Sequence, residues 1–190
     1  MISGPPRPKA ALPTMGAQLS RPLQNVAAPT QPARPRDTRQ TWLAQAFAQV
    51  VAVMMHDANF KQLALGDLEW LVLPPLKASQ FRLGHVQTPE QQSGEMRPSA
   101  LVPICVALWA RVSPEIDKRL SENLDQPAHL SPDEWTSGDG LWLMVTAGEP
   151  RAIPAFLRQL AETEFKGKEI KLRRRGTDGK VVVSVLGLTA

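Results

Sequence analysis

The twelve residues from Leu101 to Val112, LVPICVALWARV, constrain the fold more than any other stretch. They are dominated by β-branched and apolar side chains on both alternating sets, the pattern of a strand in the middle of a sheet with both faces covered. The flanking sequence supplies the covers. Leu43, Ala46, Phe47, Val50, Val51 and Met54 recur at helical spacing. Asp37, with Gln40 three residues on, reads as the cap of that helix. The spacing predicts a helix from Asp37 to about Met55, with Trp42, Leu43, Phe47 and Met54 facing a core.

A second helical segment, Leu65 to Leu73, is expected to stop at Pro74–Pro75, which cannot continue the hydrogen-bond ladder. KASQFRLG then turns into a strand, and the polar run from Gly84 to Ser99 reads as an exposed loop. Ser113–Pro114–Glu115 caps a third helix, with proline where its missing N–H costs nothing. Ser131–Pro132–Asp133–Glu134 is a capping box leading into the turn WTSGDG. Leu141 to Val145 reads as a short strand, Ile153 to Phe165 as an amphipathic helix, and EIKLRRR with KVVVSVL as a hairpin around Gly176 to Gly179. Alternating helices and strands give an α/β class with a mixed sheet.

Charge divides the chain. Residues 1–40 carry Arg7, Lys9, Arg21, Arg34, Arg36 and Arg39 against Asp37 alone, whereas the remainder carries 16 basic and 17 acidic side chains. The globular part is therefore close to neutral, which argues against a domain wrapped on nucleic acid. Met1 to Arg36 holds eight prolines and little apolar periodicity, so residues 1–37 are expected to be a disordered extension and 38–190 the folded domain. The single cysteine, Cys105, rules out an internal disulfide and any multi-cysteine metal site. No run of 18 apolar residues exists to span a membrane.

Generic catalytic signatures are missing: the chain has no glycine-rich phosphate loop, HExxH, GxSxG or CxxC. His56, His85 and His129 are isolated, the last two in expected loops. Three other stretches carry more information: VLPPLKASQFRL (72–83), PICVALWARVSPE (103–115) and DEWTSGDGLWL (133–143). In that order they resemble the toxin-activating lysine acyltransferases, the hemolysin-activator family of RTX systems, over roughly residues 42–175. That family has a Leu-Pro segment ending in Gln-Tyr or Gln-Phe, a Ser-Trp-Ala strand and a Trp-x-Ser-Gly-Asp turn. Trp135, Ser137, Gly138 and Asp139 match the turn.

The resemblance implies a cytoplasmic enzyme of GNAT-like fold, with a mixed sheet flanked by helices. Such an enzyme takes a fatty acyl group from acyl carrier protein and forms an amide on lysines of an RTX-type protoxin, with no cofactor and no metal of its own. Its family chemistry rests on a histidine that takes the lysine proton and an aspartate that balances it. Counting back from VLPPL, MHDANFK occupies the histidine motif, Met55 and Lys61 match its ends, and the histidine position falls on Phe60. The aspartate position falls on Val145. Neither side chain accepts a proton. On a continued helix His56 would lie one turn before Phe60, about 6 Å along the axis, which makes it the candidate substitute base; Asp57 would point about 100° away. Two outcomes stay open: an acyltransferase with a rewired base, or a degenerate relative that binds the carrier protein, an RTX-like partner or an active paralogue.

Other residues have plainer readings. Asp139 suits turn formation as well as acid chemistry. Trp109, Trp135 and Trp142 are candidates for an acyl groove and, first of all, for the core. Cys105, in mid-strand, reads as an inert small hydrophobe. Lys166, Lys168, Lys171, Arg173, Arg174 and Arg175 form the densest charge cluster, either a solvated hairpin or a dock for an acidic carrier protein. No aromatic residues interleave with it to favour nucleic acid.

Overall fold

The computed structural model describes residues 35–87 and 101–186, with side chains from residue 38. The 1–37 extension, apart from the backbone of residues 35–37, and residues 88–99 of the expected loop lie outside them, as does the Asp37 cap. The elements are α1 (Pro35–His56), α2 (Asp67–Leu71), α3 (Leu73–Lys77), β1 (Phe81–Gln87), β2 (Leu101–Val112), α4 (Pro114–Glu122), a 3-10 turn (Pro132–Trp135), β3 (Gly140–Gly148), α5 (Ile153–Glu162), β4 (Ile170–Arg175) and β5 (Val181–Leu186). The strands form one sheet in the order β1-β2-β3-β4-β5. All neighbours are antiparallel except β3 and β4, which run parallel across α5. The class is α/β, a mixed sheet flanked by helices.

The two-faced burial expected of β2 determines the layers. Val106, Leu108, Ala110 and Val112 face one side with Trp142, Val145 and Ala147 of β3. Ala46, Val50, Val53 and Met54 of α1, Leu76 of α3, Leu120 of α4 and Trp135 cover them. Ala107, Trp109 and Leu143 face the other side, beneath Leu160 of α5, Phe165 and Ile170 of β4. Removing a side chain such as Leu108 or Val106 from water stabilises the fold by about 1.5–3 kcal/mol each, so β2 is the spine on which both layers depend.

Several expectations change. Trp42 is 45 % exposed rather than core; it lies against the Phe81 ring, centroids 5.7 Å apart. The rest of the expected face holds: Met54 is buried, Leu43 and Phe47 pack half-buried against the core, and Ala46, Val50 and Val53 complete the stripe, the spacing of a single helical face. Pro74 and Pro75 do not end the helical segment: they lie in the first turn of α3, at N2 and N3 after Leu73, where N–H groups have no intrahelical partner and their absence breaks no bond. β1 continues through Gly84 to Gln87, so the loop starts later than expected, and His85 is on a strand. β3 runs to Gly148, beyond Val145, while α5 stops at Glu162.

Two bulges bend the sheet. Ile104 is the extra residue between the pairs Gly84–Cys105 and His85–Pro103. Met144 is the extra residue between Leu108–Val145 and Trp109–Leu143. The first explains why β3 ends in glycine. Gly148 adopts φ +127°, and a Cβ there would lie 2.1 Å from the Ile104 carbonyl oxygen, which also accepts from the Glu149 N–H at 2.9 Å. Gly148→Ala therefore combines a left-handed backbone with a backbone clash and should destabilise the protein by about 3 kcal/mol or more. Urea unfolding measures this; an unchanged midpoint would show that the corner gives way freely.

Candidate active site

Gln80 is the one polar or charged side chain that is fully buried among the described residues, at 5 % exposure. Its amide is satisfied in the orientation that aims its nitrogen at the carbonyl oxygens of Trp135 (3.1 Å) and Trp109 (3.2 Å). The backbone carbonyl of Gln80 accepts from the Trp109 backbone N–H at 3.1 Å. The three stretches that carry the family resemblance thus meet at one amide: the Gln-Phe segment, the Trp-Ala strand and the Trp-Thr-Ser-Gly-Asp turn.

The turn is pinned on its other side. The Gly138 N–H donates to the Arg111 carbonyl at 3.1 Å. Ser137 Oγ accepts from the Ser113 N–H at 2.9 Å and donates to the Glu134 carbonyl at 3.0 Å. A Cβ on Gly138 would meet the Val112 carbonyl at 2.5 Å and Ser113 Cα at 2.7 Å, so only glycine allows this approach. Trp135 is fully buried, and its indole N–H has no acceptor among the described residues, a desolvation cost carried by the surrounding bonds. Asp139, 94 % exposed at the side chain, accepts from Arg111 at 2.5 Å. Trp135, Ser137 and Gly138 thus hold the turn on the β2–α4 corner, and Asp139 stands at the rim.

His56 ends α1. The helix stops there, so Phe60 follows through a turn (Phe60 N–H to Asp57 carbonyl, 3.1 Å) and the two are not one helical turn apart. His56 is exposed, and its Nδ1 lies 2.7 Å from the Ala52 carbonyl oxygen. A carbonyl only accepts, so Nδ1 carries the proton and the Nε2 lone pair of the neutral ring is free. Asp57 does not orient this ring. Its Oδ1 accepts from the Asn59 N–H (2.8 Å) and Nδ2 (3.1 Å), and its Oδ2 from the Gly148 N–H (3.1 Å). This latch brings the end of α1 to the end of β3. Phe60 packs against the cluster that contains Val145, which is 2 % exposed.

The parallel β3–β4 pair joins only Leu141, Trp142 and Leu143 to Ile170, Lys171 and Leu172. It stops where the Met144 bulge begins, so Val145 follows both the bulge and the parting of the strands. Bulges at such places re-aim side chains and open a sheet. A concavity lies at the other end of β3. A cleft of about 590 Å³ is lined by Ser79, Gln80, Trp109, Arg111, Asp139 and Phe165 among others, on the α5 side. Asp139 and Gly148 are separated by the length of β3, roughly 30 Å at a strand's rise, so His56 and Asp139 do not share a site.

The basic cluster is divided. Lys171 Nζ binds both oxygens of Asp117 (2.9 and 3.0 Å), which also accepts from Trp142 Nε1 at 2.7 Å. Arg173 donates to the Leu120 and Gln126 carbonyls, capping the end of α4, and burial lowers its pKa. Arg174 donates to Ser184 Oγ and Arg175 to the Gly179 carbonyl, both exposed; Lys166 and Lys168 are exposed as well. Of the tryptophans, Trp109 walls the cleft while Trp135 and Trp142 are core. Cys105 is 1 % exposed, and burial, ahead of the nearby Glu149 charge, pushes its thiol up, which suits an inert hydrophobe. His129 is exposed and stacks on Trp70, centroids 4.2 Å apart. Among the described residues no group of histidine, cysteine and carboxylate side chains is placed to hold a metal ion.

Sequence reasoning missed three residues that shape this region. Gln80 was seen as a motif letter, though a glutamine between a helix and an apolar strand is the available hint. Gly148 and the ionic partner of Glu134 had no local signal. Arg119 grips Glu134 with two bonds of 2.8 Å, and Glu134 closes the capping box onto the Ser131 N–H at 2.8 Å. Arg119 is the main cause that holds the Glu134 carboxyl below the usual range. A depressed folded pKa gives stability that is present above the unfolded pKa and lost as pH falls through the folded one. Glutamine keeps the cap acceptor but not the charge. The stability gap between the native chain and Glu134→Gln should therefore be open at neutral pH and close in acid, as read by urea midpoints across pH; a gap independent of pH would assign the pair no ionic role.

No curated protein matches the chain. Residues 40–186, from α1 through β5, match the RTX toxin acyltransferase family. The match spans the layered sheet, the Gln80 junction and the pinned turn alike, and the chain belongs to the RTX toxin acyltransferase family.

Proposed function

We propose that this protein is a cytoplasmic, GNAT-like acyltransferase that moves a fatty acyl group from acyl carrier protein to lysine side chains of an RTX-type protoxin. The match of the whole described domain to the family carries this reading. The parting of β3 from β4 after three pairs supports it, because β3 beyond Leu143 has no β4 partner and its backbone groups on that side are available to the thioester-bearing arm of a carrier. In this chemistry the lysine amine attacks the thioester carbonyl, the carrier thiol leaves, and an amide forms. The amine must first lose the proton of its ammonium form, so a base is required.

Phe60 and Val145 cannot supply that base. His56 is the imidazole at the β3 end that bears Val145, brought there by the Asp57–Gly148 latch. The Ala52 carbonyl keeps its proton on Nδ1 and leaves Nε2 to accept. Exposed Lys166, Lys168, Arg174 and Arg175 are the remaining members of the cluster suited to an acidic carrier, since Lys171 and Arg173 are engaged within the fold. No helix among the described residues is long and apolar enough to cross a membrane.

A second reading, binding without catalysis, is favoured by one observation: both family positions are apolar, and Val145 is sealed at 2 % exposure. Acyl transfer from labelled acyl carrier protein to a co-expressed RTX-type acceptor, read by intact mass, separates the two. The expected result is an amide-linked adduct that His56→Ala slows by roughly 10²–10⁴-fold. An adduct indifferent to that change would remove His56 from the mechanism. No adduct, with the carrier or acceptor still bound, would make this a binding protein.

A further inference from the structure

The cleft at the Gly140 end of β3 has a different balance of charge from the β4–β5 hairpin. Its lining holds three carboxylates, Asp139, Glu164 and Glu169, against two cations, Arg111 and Lys168. Two of the acids have one oxygen engaged: Asp139 accepts from Arg111 at 2.5 Å, and Glu164 accepts from Arg82. Glu169 is exposed and has no partner for its carboxylate among the described residues. The floor is a narrow apolar strip. Trp109 and Phe165 meet edge to face there, centroids 5.1 Å apart, beside half-buried Leu141. The chain itself shows what such a surface holds: the Arg82 guanidinium lies over the Trp109 ring, 5.9 Å from its centroid, with Glu164 as its counter-ion.

We infer that this cleft docks a basic side chain of the acceptor protein other than the lysine that is acylated, with its apolar stem on the aromatic strip and its charge at Glu169. The inference rests on the acyltransferase reading above. Direct attack of an amine on a thioester requires carrier and acceptor to be bound together, so the two need separate surfaces. The single cysteine, Cys105, is sealed at 1 % exposure and cannot hold the acyl group between two separate visits. An acidic carrier suits the exposed cations of the hairpin, Arg174 and Arg175 among them. The acid surplus of the cleft repels that carrier and attracts a basic segment. Lysine and arginine fit its shape, because their stems lie along apolar surface while the charged head stays in water. The cleft and His56 lie at opposite ends of β3, roughly 30 Å apart at a strand's rise. An extended acceptor therefore needs at least about nine residues between the docked side chain and the acylated lysine.

Fluorescence anisotropy of a labelled RTX-type acceptor fragment on the full chain, with no carrier present, tests this beside Glu169→Gln and Glu169→Lys. Glu169 is exposed and takes part in no tie within the fold, so both variants should fold, with thermal midpoints as the check. The expected result is an acceptor dissociation constant that rises about threefold in Glu169→Gln and roughly tenfold or more in Glu169→Lys. Affinity for acyl carrier protein, measured alongside, should not fall in either. Acceptor fragments cut to fewer than about nine residues on both sides of the acylated lysine should no longer distinguish the native chain from the variants. An acceptor bound equally by all three chains, or not bound at all, would overturn the inference, as would variants that lose the carrier instead. Acyl transfer is read separately by intact mass. A chain that transfers nothing yet binds the acceptor through Glu169 would end the acyltransferase reading while leaving the cleft as the acceptor's dock.

Discussion

The buried amide of Gln80 organises the α/β core around the turn. A peptide-like group taken out of water without partners costs several kcal/mol. Two carbonyls satisfy it here, and each belongs to a different part of the chain, Trp109 in β2 and Trp135 in the 3-10 turn. The backbone carbonyl of Gln80 accepts from the Trp109 N–H beside it. An apolar core packs comparably well in several arrangements, whereas an amide with fixed donors does not. Gln80 therefore fixes how the helical layer, the central strand and the Trp135 turn sit together, and Gly138 follows as the position where the turn must approach the Val112–Ser113 backbone without a side chain between them.

Much of this was legible in the residues. LVPICVALWARV announced a central strand, and the structure buries it on both faces; Ser113–Pro114 and the Ser131–Glu134 box start their helical turns because side-chain caps are local events. What failed was non-local. Trp42 looked like core because hydrophobicity is readable from sequence, but whether a helix face meets a partner at that height is not. Pro74–Pro75 looked like a stop because proline breaks ladders, yet a second helix start directly after α2 uses the same chemistry. The hold of Lys171 and Arg173 on α4 lies some fifty residues away in sequence and leaves no local trace.

The candidate site shows the same division. The motif stretches led to the family, and the geometry explains them as architecture: Trp135, Ser137 and Gly138 build a corner. The positions that the resemblance assigns to the base and its partner were also legible as departures, Phe60 and Val145. The sequence could not show that α1 stops at His56, or that Asp57, sequence neighbour of the histidine, spends its carboxylate on Asn59 and Gly148 instead of on the imidazole. A one-residue difference in where a helix ends decides which groups share a face, and that is the least certain thing a sequence gives.

The β4–β5 hairpin joins the sheet through three parallel pairs, whereas its own two strands share six. Its internal ladder is thus longer than its attachment. The other fastenings are Ile170, Leu172 and Leu186 in the α5 layer, Val183 against the opposite layer, the Lys171–Asp117 pair and the Arg173 bonds to α4. By the local-opening logic of cooperative units, a hairpin with the longer internal ladder should open from β3 before its own two strands separate. Salt screens the Lys171–Asp117 tie more than the apolar ones, so ionic strength should tune how firmly the hairpin is held to the sheet.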